Sequence, residues 1–446
     1  MKILDVYKSK ENAIVQVNGW IRFNRVSKNV GFIELFDGSN LNGIQLVYKK
    51  SQIEIYEKLS QVTLFSALQI KGKVIADKKN GREVLVESVI FCNEPASDFP
   101  LGKKEHGLEF LRQQAHLRVK TKLFQAVMTI RSTLSLSIHD FFAQKSFHYL
   151  NSPIITKNDA EGAGESFFVK TIKNKNFWSS PASLSVSGQL HAEAYAQAFT
   201  NVYTFAPTFR AENSNTTRHA SEFWMIEPEV AFADYNDLMD LGQELIKFVI
   251  KKVLLKHEIE LKFLANFSKV DLLTDLETIV NNDYEKISYK KAIKILQNAI
   301  IDGVNFEQNK IEFGIDFGIE HEKYLASVYA KKPIFIYDYP LEIKSFYMYQ
   351  NDDQETVRGF DLLVPRIGEL IGGSQRENSY EKLIQAMKIK KIKSPDLDWY
   401  LELRKNGFAP SSGFGLGLER LVMLVTGMEN IRDVLPFPRT PGDLNF

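Results

Sequence analysis

The sequence predicts a two-domain α+β protein, in which a small five-stranded β-barrel precedes a larger domain with an antiparallel sheet flanked by helices. Three observations support this prediction. Apolar and polar residues alternate through most of the first 95 positions. Long amphipathic helices and strand-like runs follow in mixed order, without a regular βαβ repeat. The length of 446 residues, with 44% hydrophobic and 25% charged, suits a folded chain with more than one core.

Residues 1–95 are predicted to form the barrel. The predicted elements are, in order, strands within 14–36, a strand at 44–48, a helix at 53–59, a strand at 64–76 and, after a tight turn at Asn80-Gly81, a strand at 83–91. Five short strands with one helix after the third fit a Greek-key barrel of the oligonucleotide-binding type (OB-fold). The pattern alone leaves open whether this barrel binds any ligand.

Residues 96–115, which include Pro100 and Gly102, are predicted to be a hinge, and residues 116–446 a second domain. The predicted elements of that domain include helices at 119–145, 235–257 and 289–299 and strands from Pro153 onward, at 202–210, 222–232 and 334–336. No Gly-x-Gly-x-x-Gly follows a strand, which argues against a dinucleotide-binding fold.

Composition excludes several classes of protein. A net charge of +1 gives no overall signal for nucleic acid, so any polyanion has to be held by a local patch. One cysteine, Cys92, cannot form an internal disulfide or a cysteine-built zinc site. The acidic Asp5 interrupts the N-terminal apolar run, and no stretch approaches ~18 apolar residues. We therefore expect a cytoplasmic protein without a membrane segment.

Two segments carry the candidate chemistry. Between a strand that ends at Arg210 and another that begins at Glu222 lies a polar loop with Arg218 and His219, an arrangement able to hold phosphates beside the aromatic face of Phe223. Near the C-terminus, a glycine-rich turn at 413–417 is predicted to lead into an apolar helix with Arg420 near its start. Each segment alone could be an ordinary surface feature.

Taken in order, Pro153 after a long helix, the 210–223 hairpin and the Arg420 helix resemble the three signature motifs of class II aminoacyl-tRNA synthetases. The runs Phe209–Ser214, Gly368–Glu377 and Pro436–Gly442 are similar to the bacterial asparaginyl-tRNA synthetase family, and the resemblance spans essentially the whole chain. It implies a class II catalytic domain with an antiparallel sheet flanked by helices, and ATP and Mg²⁺ as cofactors.

The resemblance also implies an ATP site. Its residues are Arg210, Glu212, Arg218, His219, Phe223, Glu369 and Arg420, with Arg210 and Arg420 as the catalytic pair. Asp361 and Glu369 resemble the carboxylates that bind Mg²⁺, a cation that prefers oxygen ligands. Their spacing of eight is one residue longer than in the aspartate enzymes, so the assignment of Glu369, within an apolar and glycine-rich run, is the firmer one.

The implied amino-acid site consists of Glu161, Ser187, Gln189, Glu193, Glu227 and Arg376. In the related aspartate enzymes a lysine follows the glutamine by three positions and pairs with the substrate carboxylate, but here that position is Ala192. A neutral carboxamide does not need this cation and can donate its NH₂ to an acceptor such as Glu193. The resemblance therefore implies L-asparagine, with Arg376 donating to its side-chain carbonyl and with Glu161 and Gln189 on its ammonium.

For the barrel, the resemblance implies anticodon binding, with Phe32 stacking on a base and Gln45 reading one. The implied partners are tRNA(Asn) and a second copy of the chain in a homodimer. Three alternatives stay open: an aspartyl-tRNA synthetase, which Ala192 argues against; a non-catalytic paralogue, which should lack Arg210, Glu369 or Arg420; and an asparagine-forming ligase, which has no use for the barrel.

Overall fold

The computed structural model of the chain describes residues 1–77, 81–157, 166–172, 177–214, 216–392 and 397–446. It divides into two compact units, Met1–Met128 and Thr129–Phe446. The predicted fold class, a five-stranded barrel followed by a largely antiparallel sheet with flanking helices, is confirmed. The domain limits at 95 and 116 stay predictions. Within the described ranges, no helix has the length and apolar character needed to cross a bilayer.

The first unit contains the closed barrel, with strand order β1-β2-β3-β5-β4. Its strands are β1 (Ile14–Val26), β2 (Val30–Phe36), β3 (Ile44–Lys49), β4 (Ala67–Asp77) and β5 (Gly81–Asn93), and the helices of this part of the chain are α1 (Ile3–Val6), α2 (Ile53–Gln61), α3 (Leu108–Gln113) and α4 (Ala115–Arg118). Buried and exposed residues alternate from Ile14 to Ile21 of β1, as the sequence pattern predicts, and Val17, Ile33 and Leu46 lie in the core. The predicted turn at Asn80-Gly81 lies partly outside the described residues.

The large sheet of the second unit has the order β12-β13-β14-β15-β16-β11-β10-β6, antiparallel from β13 to β10. Its strands are β6 (His148–Tyr149), β10 (Asn201–Phe209), β11 (Glu222–Ala231), β12 (Glu285–Ser288), β13 (Ile334–Pro340), β14 (Thr356–Val364), β15 (Gly368–Gln375) and β16 (Ser411–Gly417). A small sheet consists of β7 (Ile155–Thr156), β8 (Phe168–Val169) and β9 (Ala182–Leu184).

Helices flank the large sheet. They are α5 (Lys122–Gln144), α6 (Gln189–Phe199), α7 (Tyr235–Lys256), α8 (Glu258–Ser268), α9 (Leu272–Asn281), α10 (Tyr289–Ile301), α11 (Ile319–Lys323) with a π-helical turn at Tyr324–Tyr329, α12 (Tyr380–Ile389), α13 (Asp398–Lys405) and α14 (Leu418–Thr426). Asp234 and Asp237 form a capping box that fixes the start of α7. Gly242 in α7 lets the helix lie close to Ile371 and Phe414 of the sheet.

The predicted glycine-rich turn at 413–417 is wrong, because these residues form the strand β16 between β15 and β11. Glycines alternate there with Phe414 and Leu416. Because side chains of a strand point alternately to its two faces, the three glycines lie on the same face of β16. A Cβ at Gly413 would stand 2.1 Å from a carboxylate oxygen of Glu229, and one at Gly415 2.7 Å from the methyl of Met225. Glycine therefore leaves room for the side chains of β11. The predicted helix after the segment is confirmed as α14.

Candidate active site

A cavity of about 430 Å³ lies over β11, β14, β15 and β16 of the large sheet. Most site residues predicted from the sequence line it, namely Ser187, Gln189, Arg210, Glu212, Arg218, His219, Phe223, Glu227, Asp361, Glu369, Arg376 and Arg420. We call the part around Arg210, Arg218 and Arg420 the Arg420 end, and the part around Ser187, Gln189 and Arg376 the Arg376 end.

The hairpin of β10 and β11 positions Arg210 and Phe223. Thr208 pairs with Phe223 and Phe209 with Glu222, and the backbone N–H of Arg210 donates to the carbonyl of Ser221 at 3.0 Å. This register places the Arg210 guanidinium carbon 5.5 Å from the centre of the Phe223 ring. A cation and an aromatic face thus stand side by side at the rim of the cavity, as a nucleotide with its base and phosphates requires.

Arg218 and His219 follow in the hairpin loop. Arg218 donates to the carbonyl of Ile367 and, at 3.3 Å, to the carboxylate of Glu322. His219 Nδ1 lies 2.6 Å from the hydroxyl of Thr216. Burial lowers the pKa of His219, and Arg420 lowers it further. The imidazole is therefore neutral at pH 7 and keeps one N–H donor and one acceptor.

Asp361 and Glu369 each give one oxygen to a protein cation. Asp361 Oδ2 accepts from Lys344 Nζ at 2.7 Å, and Glu369 Oε2 accepts from Arg420 at 3.0 Å. Their other oxygens, Asp361 Oδ1 and Glu369 Oε1, lie 3.4 and 3.1 Å from the point where a Cβ on Gly372 would stand. Two carboxylate oxygens therefore approach the same open point beside a glycine.

Burial and the two cations act in opposite directions on the pKa values of this carboxylate pair. Burial raises the pKa of Glu369, but Arg420 and Lys344 more than compensate and leave it below the ordinary value. For Asp361 burial prevails, and its pKa stays above the ordinary value although Lys344 opposes the rise.

The register between β14 and β15 is irregular beside Leu362 and Leu363. This irregularity lies between Asp361 and Glu369, the two residues whose spacing of eight is one longer than in the aspartate enzymes.

At the Arg376 end, Glu227 is a buried acceptor. It receives hydrogen bonds from the hydroxyl of Ser187, from the backbone N–H of Gly188 at 2.8 Å and from Thr204 at 3.1 Å. A Cβ on Gly188 would stand 2.7 Å from the hydroxyl of Ser152, so glycine is required for this close approach. The carboxylate is fixed in place before any ligand arrives.

Arg376 is almost completely buried and forms a bidentate ion pair with Glu229. It also donates to Ser374 at 2.8 Å. Burial lowers the pKa of Arg376, but the carboxylates of Glu229 and Glu193 outweigh that effect, so the guanidinium is charged. Arg376 lines the cavity and Glu229 lies behind it, which holds the guanidinium in a single orientation.

Two residues that the resemblance links to the choice of amino acid do not line the cavity. Glu193 is fully buried, and Ala192 packs in an apolar cluster with Ala196 and Val202. Glu161 lies outside the described residues. The contact of Glu193 or Glu161 with a substrate therefore stays a prediction.

In the barrel, Phe32 and Gln45 lie on the outer face of β2 and β3, opposite the buried Ile33 and Leu46. Phe32 pairs with Val47, two positions from Gln45 on the same face. Gln45 donates to Glu83 of β5, a residue that the sequence reasoning missed. Burial raises the pKa of Glu83.

Three further residues near the cavity were not predicted from the sequence: Glu229, Lys344 and Glu322. Glu229 follows Glu227 by two positions, so strand alternation could have placed both on one face. Lys344 and Glu322 lie in segments that resemble the family but that suggest no role by themselves, because each residue acts through a partner distant in the chain. Burial and the nearby Glu369 raise the pKa of Glu322 to about 7, while Arg218 opposes the rise.

Comparison with known proteins identifies the family. The model for tRNA synthetases class II (D, K and N) matches residues 107–441. The chain belongs to the class II tRNA synthetases. This synthetase is 48% identical to the asparagine–tRNA ligase of Ureaplasma urealyticum over 442 residues, which covers 99% of this chain and 97% of that protein. It is also 48% identical to the asparagine–tRNA ligase of Mycoplasma mycoides subsp. mycoides, with 100% of both chains covered.

The synthetase is also similar to a solved structure over its whole length. The crystal structure of asparaginyl-tRNA synthetase from Pyrococcus horikoshii complexed with asparaginyl-adenylate gives a TM-score of 0.90 at 32% identity, with 100% of this chain and 99% of that chain covered. The resemblance seen in the sequence is thereby confirmed.

Proposed function

We propose that the protein is an asparagine–tRNA ligase, which activates L-asparagine with ATP and transfers it to the 3′ end of tRNA(Asn). Within the structure, the observation that carries this function is the cavity itself. One of its ends presents Arg210, Arg218 and Arg420, and the other presents Arg376, locked by Glu229. The end suited to a polyanion and the end suited to an amino acid thus belong to the same cavity.

The Arg420 end is proposed to bind ATP. Arg210 and Arg420 hold the α-phosphate region, Arg218 and His219 the outer phosphates, and Phe223 stacks on the adenine. Glu212 lines the same end. The guanidinium groups stabilise the negative charge on the phosphoryl oxygens as the α-phosphorus is attacked.

Asp361 and Glu369 are proposed to hold Mg²⁺, since Asp361 Oδ1 and Glu369 Oε1 approach one point. Hard oxygen donors at an arginine-rich end suit an ion that binds carboxylates together with phosphates and waters. When bound, Mg²⁺ neutralises phosphate charge and helps to align the polyphosphate. Lys344 and Arg420 keep the two carboxylates oriented by holding their other oxygens.

The Arg376 end is proposed to bind asparagine. Glu227, Ser187 and Gln189 line the cavity where they can hold the substrate ammonium, and Arg376 can donate to the side-chain carbonyl. The resemblance adds Glu161 to the residues that hold the ammonium. Because Arg376 already forms a bidentate pair with Glu229, a carboxylate on the substrate side chain would have to compete with Glu229 for the guanidinium. A neutral carboxamide meets no such penalty.

The proposed reaction is one of alignment and electrostatics. A carboxylate oxygen of asparagine attacks the α-phosphorus, and the bond to the β-phosphate breaks with release of pyrophosphate. In the second step the terminal ribose hydroxyl of tRNA attacks the acyl carbon, and AMP leaves. Neither step needs a side chain of this protein as a covalent intermediate.

The remaining partners are proposed on the resemblance. The barrel binds the anticodon through Phe32 and Gln45, the protein acts in the cytoplasm, and two copies form a homodimer. The exposed Leu136 on α5 and Tyr149 on β6 support an interface on the second unit.

Exchange of radiolabelled pyrophosphate into ATP, with asparagine and aspartate assayed in parallel, tests the amino acid. Exchange that depends on asparagine is expected. Exchange with aspartate alone would contradict the choice of amino acid, and exchange with neither would point to the non-catalytic paralogue. Charging of tRNA(Asn) then tests the transfer step.

A further inference from the structure

Two residues of α13 bind a carboxylate behind the cavity wall. Arg404 donates to Glu193 Oε2 at 2.7 Å, and the hydroxyl of Tyr400 donates to the same oxygen at 2.7 Å. Arg404 also donates to the Tyr400 hydroxyl at 2.7 Å. Because the two residues are four positions apart on one helix, they face the same side and act on Glu193 together.

Arg404 is held in place by its surroundings. Its guanidinium lies 4.0 Å from the ring centres of both Tyr400 and Phe408, and its Nε donates to the carbonyl of Glu377 at 3.1 Å. Burial lowers the pKa of Arg404, but Tyr400 and Glu193 outweigh it, so the group is charged. A buried and stacked arginine with several partners has little freedom to move.

Glu193 connects these two residues to the cavity wall. Its other oxygen, Oε1, accepts from Gln189 Nε2 at 3.0 Å and lies 3.9 Å from Arg376 Nε. Gln189 and Arg376 both line the cavity, whereas Glu193, Tyr400 and Arg404 do not. A change in α13 can therefore reach a bound amino acid through two wall residues.

Two buried carboxylates, Glu193 and Glu229, face two buried guanidinium groups, Arg376 and Arg404, each at most 7% exposed. Glu227, the other carboxylate described at this end, is held instead by the neutral donors Ser187, Gly188 and Thr204. Arg376 is shared between both carboxylates, while Arg404 contacts only Glu193 of the two. Without Arg404, one guanidinium would face two carboxylates. Without Glu193, Arg404 would be an uncompensated cation behind the wall.

We propose that Arg404 and Tyr400 are specificity-determining positioning residues of the amino-acid pocket. Through Glu193 they fix Gln189 and Arg376, and Arg404 balances the charge of Glu193, so that the pocket accepts a carboxamide and rejects a carboxylate. The inference rests on the proposed function, because it concerns how asparagine is chosen over aspartate. Neither residue touches the substrate.

The proposal predicts opposite changes in selectivity from two single substitutions. Arg404→Met removes the cation and leaves the pocket more negative, so kcat/KM for asparagine falls about tenfold or more, mainly through KM, and aspartate is used still less. Glu193→Gln leaves an extra cation, so the ratio of aspartate to asparagine use rises about tenfold. The double variant restores the wild-type net charge and returns the ratio toward the wild-type value.

Pyrophosphate exchange on the full chain, with both amino acids and with ATP varied separately, measures these effects. KM for ATP should stay within about twofold in all variants, because the Arg420 end keeps its own residues. Lys405→Met is the matched control, since Lys405 lies next to Arg404 but is exposed. It should leave both selectivity and KM unchanged.

If Arg404 and Glu193 served packing alone, each single variant would lower kcat/KM for asparagine and for aspartate by the same factor. The double variant would then be no more active than the less active single variant. That result would overturn the proposal. If the charge variants do not fold, Tyr400→Phe decides, because it removes one hydroxyl at nearly constant volume. A rise of several-fold in KM for asparagine at constant KM for ATP supports the proposal, and two unchanged KM values overturn it. Failure of the wild-type chain to use asparagine would instead overturn the proposed function.

Discussion

At the Arg420 end of the cavity, the side chain of Arg420 is 22% exposed and that of its partner Glu369 38%, whereas at the Arg376 end Arg376 and Glu229 are 2% and 0% exposed. Both pairs join a guanidinium to a carboxylate on the same sheet. The partly exposed pair can exchange partners when a polyanion or a cation arrives, since water partly screens the charges and less is lost on opening. The buried pair cannot separate without leaving charges unpaired in the interior.

This difference separates two tasks. An end that handles phosphates, common to many enzymes, can keep its cations loosely held and let the ligand complete the arrangement. An end that distinguishes a carboxamide from a carboxylate has to be fixed before the substrate arrives, because the two side chains differ only by one group. The following substitutions test whether the molecule is divided in this way.

The largest effect is expected from Arg210→Ala at the Arg420 end. Loss of a guanidinium that stabilises the phosphoryl transition state should lower asparagine-dependent exchange by about 10³-fold or more. Affinity for tRNA, measured by filter binding, should change little. A wild-type exchange rate in this variant would refute the phosphate role of Arg210 and the assignment of the Arg420 end to phosphate binding.

The two arginines should differ in what they contribute to stability. Arg376→Met leaves Glu229 buried without its bidentate partner and should cost about 3 kcal/mol of unfolding free energy. Arg420→Met, which is the same substitution at the other end, should lower the free energy of unfolding by no more than about 1 kcal/mol, since the pair of Arg420 and Glu369 is partly solvated. Urea unfolding of both variants measures the difference. Equal costs would mean that the two ends are not distinct in the way their exposure indicates.

Phe223→Leu should raise KM for ATP by about tenfold, because stacking on a base contributes on the order of 1–3 kcal/mol. KM for asparagine should not change, since Phe223 lies at the other end. Phe223→Tyr, which keeps the ring, is the matched control and should bind ATP normally. A parallel rise in KM for both substrates would show that the ends are coupled rather than separate.

The smallest effect concerns pH. Burial and nearby guanidinium groups lower the pKa of His219 in the free protein, and bound phosphates should raise it again. ATP binding then takes up a proton, so affinity should increase as the pH falls from about 7.5 to 6, by about two- to threefold. Calorimetry of the wild type against His219→Asn isolates this effect from the titration of ATP itself. An identical pH dependence in the two proteins would exclude a role for the imidazole.

Much of this fold could be predicted from the sequence, because its signals are local. Alternation along β1 and the amphipathic pattern of α7 gave those elements to within a few residues, and both depend on which side chains face a core. The resemblance also named a set of residues that the fold brings to one cavity. Their individual roles stay predictions.

The rest could not be predicted for two physical reasons. In β16 the glycines hid the strand, because glycine has low strand propensity and suggests a turn until the neighbouring Glu229 and Met225 are known. The pairing of Arg404 with Glu193 joins positions 211 apart in the chain. Nothing local in the sequence marks a helix-terminal arginine as the partner of a buried carboxylate, and only tertiary packing reveals it.

The three glycines of β16 should differ in how well they tolerate substitution. A methyl group at Gly413 would meet the fixed Glu229 carboxylate at 2.1 Å, one at Gly415 only the movable end of Met225 at 2.7 Å, and one at Gly417 nothing closer than 4.0 Å. In a library of alanine variants selected for growth, survivors should therefore be rarest at 413, intermediate at 415 and commonest at 417. Three glycines on one strand would then differ in how freely they can vary, because the space beside them increases and the atoms that face them become more movable from Gly413 to Gly417.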